Sequence, residues 1–219
     1  MAPRPAPRQT RAVTGTFRAL AWRGLDDPRR FDSAVVRSHT RRLSATGASS
    51  APGYATAWVL ETAADWVTET LRVRTVGPGW GRTLELSRSP EGAWACTSTS
   101  WGSCDLPDPG LADPSILDGA ADCDLGLCPF TNTMPILRSG VLSGAASADL
   151  VIALVDVPSL AVLRSEQRYS AAPHTASGPR TVRFESGDFS ADLVVDDAGF
   201  VLRYPGLAER VPAPAWVEA

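Results

Sequence analysis

Hydrophobic alternation with a period of two runs through most of this chain, and only an extended backbone puts every second side chain on the same face. Tyr54, Thr56, Trp58 and Leu60 alternate with Ala55, Ala57, Val59 and Glu61. From Trp66 to Val76, the positions Val67, Glu69, Leu71 and Val73 alternate with Thr68, Thr70, Arg72 and Arg74, and Thr62–Asp65 between the two runs reads as a short turn. Leu84 and Leu86 on one side of Ser89-Pro-Glu-Gly92, with Trp94 and Cys96 on the other, predict a hairpin. Further on, Val162–Tyr169, Arg180–Glu185, Phe189–Asp196 and Phe200–Tyr204 predict a meander. Its turns fall at Ser186–Asp188 and Asp196–Gly199, both rich in turn formers. Residues 24–34 and 158–162 are expected to hold short helical turns.

Ten or more short strands joined by tight turns predict a mainly β fold: a single large, strongly curved antiparallel sheet or an incompletely closed barrel. A flat sheet of that size would expose a whole face, whereas a curved one makes a concave surface where ligands of such folds sit. The 219 residues are long enough for one such domain. The expected boundaries are 16–210 for the domain, with a disordered Pro/Arg-rich tail at 1–15 and a C-terminal tail at 211–219. The first fifteen residues lack the apolar core of a signal peptide, and no later run approaches the twenty apolar residues of a membrane span. A cytoplasmic location and no transmembrane segment are therefore expected.

A formal charge of −3 gives no support for nucleic acid as a partner. All 21 basic residues are arginine. The four cysteines, at 96, 104, 123 and 128, match no zinc spacing, and the two histidines, His39 and His174, read as surface and loop residues. Free buried thiols, no metal and no cofactor are the expectation. Of the seven tryptophans, Trp22, Trp58, Trp66 and Trp94 are expected in strands, and Trp80 and Trp101 in glycine- and serine-flanked turns.

The densest polar stretch is Asp118 to Arg138, where acids, prolines, a Thr-Asn-Thr and an arginine crowd into about twenty residues. It reads as a rigid polar surface suited to a charged or polyhydroxylated ligand. An extended chain sets Asp122 and Asp124 on one face, where two carboxylates repel unless a cation or donors compensate, and Arg138 is the nearby guanidinium. Asn132 is expected to be held by hydrogen bonds within its own loop. Gln167 and Tyr169 share a strand face and, with Tyr204, are expected to line one wall of the cavity.

The run Asp-x-Asp-Leu-x-x-x-Pro-x-Thr-Asn-Thr-x-Pro-Ile-x-Arg, Asp122 to Arg138, resembles the central motif of the putative glycolipid-binding family, formerly a domain of unknown function. Supporting pieces lie in order: Trp22, Trp66 ahead of Leu71-Arg-Val-Arg74, Gln167-Arg-Tyr169, and Asp192 through Tyr204-Pro205. The resemblance spans about residues 16 to 210. The chain departs from the pattern at Leu137, where a second arginine is common, and at Phe130, where a small residue is usual. The resemblance implies a curved β-sheet similar to lipid carriers and an amphiphilic, glycolipid-like partner.

Three functional classes stay open. The first is a binding protein whose ligand meets Asp122, Asp124, Thr131, Asn132, Thr133, Arg138, Gln167, Tyr169 and Tyr204. The second is a structural or protein-interaction module in which the motif merely closes the sheet. The third is a hydrolase using the two aspartates as acid and base. No Gly-x-Ser-x-Gly elbow, P-loop or dinucleotide fingerprint is present, which ranks the enzyme last and the binding protein first. The oligomeric state is not legible.

Overall fold

The computed structural model describes residues 15–172 and 179–212. Apart from Gly15 and residues 211 and 212, both expected tails lie outside the described residues, and so does His174.

The strands are β1 (Thr16–Gly24), β2 (Phe31–His39), β3 (Arg42–Ala51), β4 (Tyr54–Thr62), β5 (Thr68–Gly77), β6 (Trp80–Arg88) and β7 (Trp94–Gly102) in the first half. The second half holds β8 (Asp122–Leu125), the short helix α1 (Thr133–Ser139), then β9 (Ser147–Val155), β10 (Val162–Ala171), β11 (Arg180–Ser186), β12 (Phe189–Val195), β13 (Val201–Tyr204) and β14 (Ala208–Arg210). All fourteen strands form one open sheet in the order β7-β6-β5-β4-β3-β2-β1-β14-β13-β12-β11-β10-β9-β8. Two meanders are thus joined back to back where β1 pairs with β14, through Trp22 opposite Arg210. Trp22 reinforces that seam by donating its indole N–H to the Val201 carbonyl at 2.8 Å.

The predicted class holds, with one correction. The sheet is mixed, because β8 pairs with β9 in parallel at its edge. A parallel pair cannot be closed by a tight turn and needs a crossover, which here is the segment 126–146 containing α1. Local expectations also shift. Trp66 ends a 3-10 turn, Ala64–Trp66, instead of starting a strand. Trp80 and Trp101 lie in β6 and β7: Trp80 is buried, whereas Trp101 is 53 % exposed. Residues 24–34 form a bend and tight turn leading into β2, and 158–162 form a turn and the start of β10, with no helix in either.

The inner face collects the alternating apolar set. Trp58, Leu60, Leu71, Val73, Leu84, Leu86 and Trp94 from the first half meet Phe130, Met134, Val155 and Phe200 from the second. A second cluster places Ile136 of α1 among Tyr169, Val182, Phe184 and Leu193. Gly47 admits this packing, since a Cβ there would lie 2.2 Å from the Trp58 ring. Curling of the sheet brings its β8 edge to the start of β5, where the Thr68 amide donates to Ala121 O at 2.9 Å and the Cys123 amide donates to Thr68 Oγ1 at 3.0 Å. The connection between β7 and β8 is fastened by buried Arg82, which donates to the carbonyls of Leu106 at 3.1 Å and Ser159 at 2.6 Å, and to that of Pro107.

All four cysteines are free, with Cys123 and Cys128 buried in the core. Burial pushes the Cys123 thiol up to about 12, so it stays protonated and unreactive at neutral pH. Among the described residues, no helix is long and apolar enough to cross a membrane.

Candidate functional site

The polar motif lies inside the sheet, not on a surface, which corrects the sequence expectation. A 3-10 turn, Pro129–Asn132, runs directly into α1, and the residues from Pro129 to Ile136 are buried. Proline at the first position of that turn presets φ and lacks the donor that a helix start leaves unsatisfied. Gly140, with φ 75°, takes the left-handed conformation that ends α1. Phe130 carries the segment into the core, its ring 5.2 Å from that of Trp58 and 6.0 Å from that of Phe200.

Asp122 and Asp124 sit two apart on β8, and both carboxyls turn toward this segment. Arg138 donates from Nε to Asp122 Oδ2 at 2.9 Å and from Nη2 to the same oxygen. The expected pair therefore forms, but as two donors on one oxygen instead of a fork on both. Asp122 Oδ1 is buried with no partner. Asp124 accepts from Thr131 Oγ1 at 2.7 Å and from Gln167 Nε2 at 2.9 Å. The chain of bonds continues, since Tyr169 donates its hydroxyl to Gln167 Oε1 at 2.9 Å and accepts from Asn132 Nδ2 at 3.0 Å. Asn132 is thus held by β10 and not by its own loop, because the turn aims its side chain across the interior. Gln167 and Tyr169 do share a face, and their partners come from the motif itself. Thr133 is buried with an unpartnered hydroxyl. Tyr204 is buried beside Phe184, ring centroids 6.1 Å apart.

Burial dominates the electrostatics. It raises the Asp122 carboxyl above its ordinary range, with Arg138 opposing. It raises Asp124 as well, with Thr131 and Gln167 opposing. The Tyr169 and Tyr204 hydroxyls are likewise raised, first by burial and then by the Asp124 charge, so both stay neutral donors.

A pH-linked expectation follows at Asp124. Its folded pKa is raised, so its contribution to stability is fully present below about pH 3.9, the ordinary unfolded value, and is lost as pH rises through the folded value. Asp124→Asn is expected to fold with near-wild-type stability at neutral pH and a shallower pH dependence. The new amide can donate to the Gln167 carbonyl once Gln167 and Asn132 flip and Tyr169 donates the other way. Asp124→Ala has no such option and is expected to cost about 1.5–3 kcal/mol. Urea denaturation of both variants across pH 4–8 checks this, and equal losses would refute the reversible chain.

The outer face of the first meander holds features the sequence reading passed over. Three neighbouring grooves cross it. The largest, about 570 Å³, is lined by Thr46, Ala57, Val59, Arg72, Arg74, Thr83, Glu85, Thr97 and Thr99 among others. The second, about 470 Å³, is lined by Phe31, Ser33, Ala48, Ala55, Ala57, Arg74 and Val76 among others. The third, about 300 Å³, lies around Phe17, Val35 and Val59. The available signal was the outward set of β4, where Ala55, Ala57 and Val59 stand at positions that a sheet facing water fills with polar residues.

A family model described as "Putative glycolipid-binding" matches residues 19–210. A crystal structure of a DUF1089 family protein from Pseudomonas aeruginosa is similar, with a TM-score of 0.61 and 24 % identity over 82 % of this chain and 92 % of that one. At that identity, the likeness speaks for the fold alone. No curated protein matches the chain.

Proposed function

The chain belongs to the putative glycolipid-binding family, and from that membership and the lining of its outer sheet face we propose that the protein is a non-catalytic binding protein for an amphiphile with a hydroxyl-bearing head group. The observation that carries this reading is the amphiphilic lining of the 570 Å³ groove. Its volume falls in the usual range for small-molecule sites. Threonine hydroxyls and the exposed Arg72–Glu85 pair, 3.1 Å apart, offer donors and acceptors to a sugar, and Ala57 and Val59 offer apolar contact beside them.

The inner motif supports binding only indirectly, as the plug that holds the sheet in shape. Both Asp124 oxygens are taken by Thr131 and Gln167, and Asp122 is clamped by Arg138. Neither acid lines the outer grooves, which argues against acid–base hydrolysis of a ligand held there. Native mass spectrometry of freshly purified protein, followed by solvent extraction, is expected to recover a bound amphiphile. Hydrolysis of a glycolipid by the wild type, lost in Asp124→Asn, would overturn this reading.

A further inference from the structure

Arg74 lines both larger grooves. Among the described residues it makes no hydrogen bond or ion pair, whereas the next guanidinium on the same strand face, Arg72, is engaged by Glu85. Its cross-strand neighbours are Ala57 on one side and Thr83 on the other, neither of them acidic. Next to it, Thr83 and Thr99 share a hydrogen bond of 2.6 Å, which uses one hydroxyl hydrogen and leaves the other free to donate. A positive charge thus stands at one end of the 470 Å³ groove, with a spare donor beside it in the adjoining 570 Å³ groove. The groove continues over Ala57, Ala48 and Ser33, successive partners across β4, β3 and β2, with Phe31 47 % exposed at its far wall.

We propose that the amphiphile is anionic, its acid group held by Arg74 with the Thr83–Thr99 pair and its alkyl chain laid across β4, β3 and β2. The proposal rests on the binding function inferred above and adds the charge of the ligand and its orientation. Three strand spacings separate β5 from β2, about 14 Å, enough for a medium-length chain. Arginine suits phosphate or carboxylate because its planar fork donates to two oxygens together. An exposed guanidinium alone holds an anion weakly, so the alkyl chain is required for retention.

Isothermal titration calorimetry tests this with dodecyl phosphate, dodecyl maltoside and inorganic phosphate, the detergents below their critical micelle concentrations. The wild type is expected to bind both detergents and not to be saturated by inorganic phosphate. Arg74→Gln is expected to weaken dodecyl phosphate tenfold or more and the neutral maltoside less than twofold, while Ala57→Trp, which fills the groove floor, weakens both. Dodecyl phosphate bound equally by the wild type and Arg74→Gln would overturn the anionic assignment and leave the amphiphile reading standing. Inorganic phosphate bound as tightly as its dodecyl ester would overturn the chain's place in the groove. Detergent affinities untouched by Ala57→Trp, or absent in the wild type, would overturn the outer-face site altogether. Both substituted positions are exposed, and circular dichroism of the variants verifies that the sheet is intact.

Discussion

Phe130→Ala is expected to lower the free energy of unfolding by about 3–5 kcal/mol, the range for truncating a fully buried phenylalanine. Phe130 is fully buried and is the one large ring that the crossover segment contributes between Trp58 of β4 and Phe200 just before β13. Its removal opens a void between two rings far apart in the chain, and those rigid rings cannot collapse into it. Urea denaturation followed by tryptophan fluorescence reads the loss, since Trp58 reports directly on the contact. A loss below about 1 kcal/mol would mean that the segment does not anchor the two halves. Phe130→Leu keeps most of the apolar volume and is expected to cost clearly less.

Arg138→Met is expected to cost about 3–5 kcal/mol at neutral pH, because it leaves the Asp122 carboxylate buried with neither oxygen partnered. The sign of its pH dependence follows from the chemistry. An unpaired buried carboxylate takes up a proton, so the deficit relative to the wild type shrinks as the pH falls toward the acid range. Adding Asp122→Asn to Arg138→Met removes the uncompensated charge and is expected to restore part of the loss at neutral pH. Denaturation midpoints of the single and double variants at pH 5 and pH 8 check both statements. A double variant no more stable than Arg138→Met would show that the pair matters for some reason other than the charge.

The strands were legible because period-two alternation is local. The hairpin at Ser89–Gly92 and the turns at 186–188 and 196–199 separate the strands that the structure pairs there. The spacing of Asp122, Asp124 and Arg138 likewise foretold an ion pair, which formed at Asp122. The second acid found hydroxyl and amide donors from Thr131 and Gln167 instead. Spacing along a strand says which side chains share a face, and it does not say which donor another element will bring. Trp66 and Trp80 show the same limit, since flanking residues could not tell a 3-10 turn from a strand start.

The sequence by itself determined the β class, most strand positions and the cluster of polar residues that would act together, because these depend on the covalent order of side chains and the two-residue repeat of an extended backbone. Only the tertiary structure decided which face was inside. The polar Thr131-Asn132-Thr133 run is buried and Ala55, Ala57 and Val59 face outward, because burial is set by what packs against a face. Here the chain's own crossover packs there, carried by a parallel edge pair that no local pattern encodes.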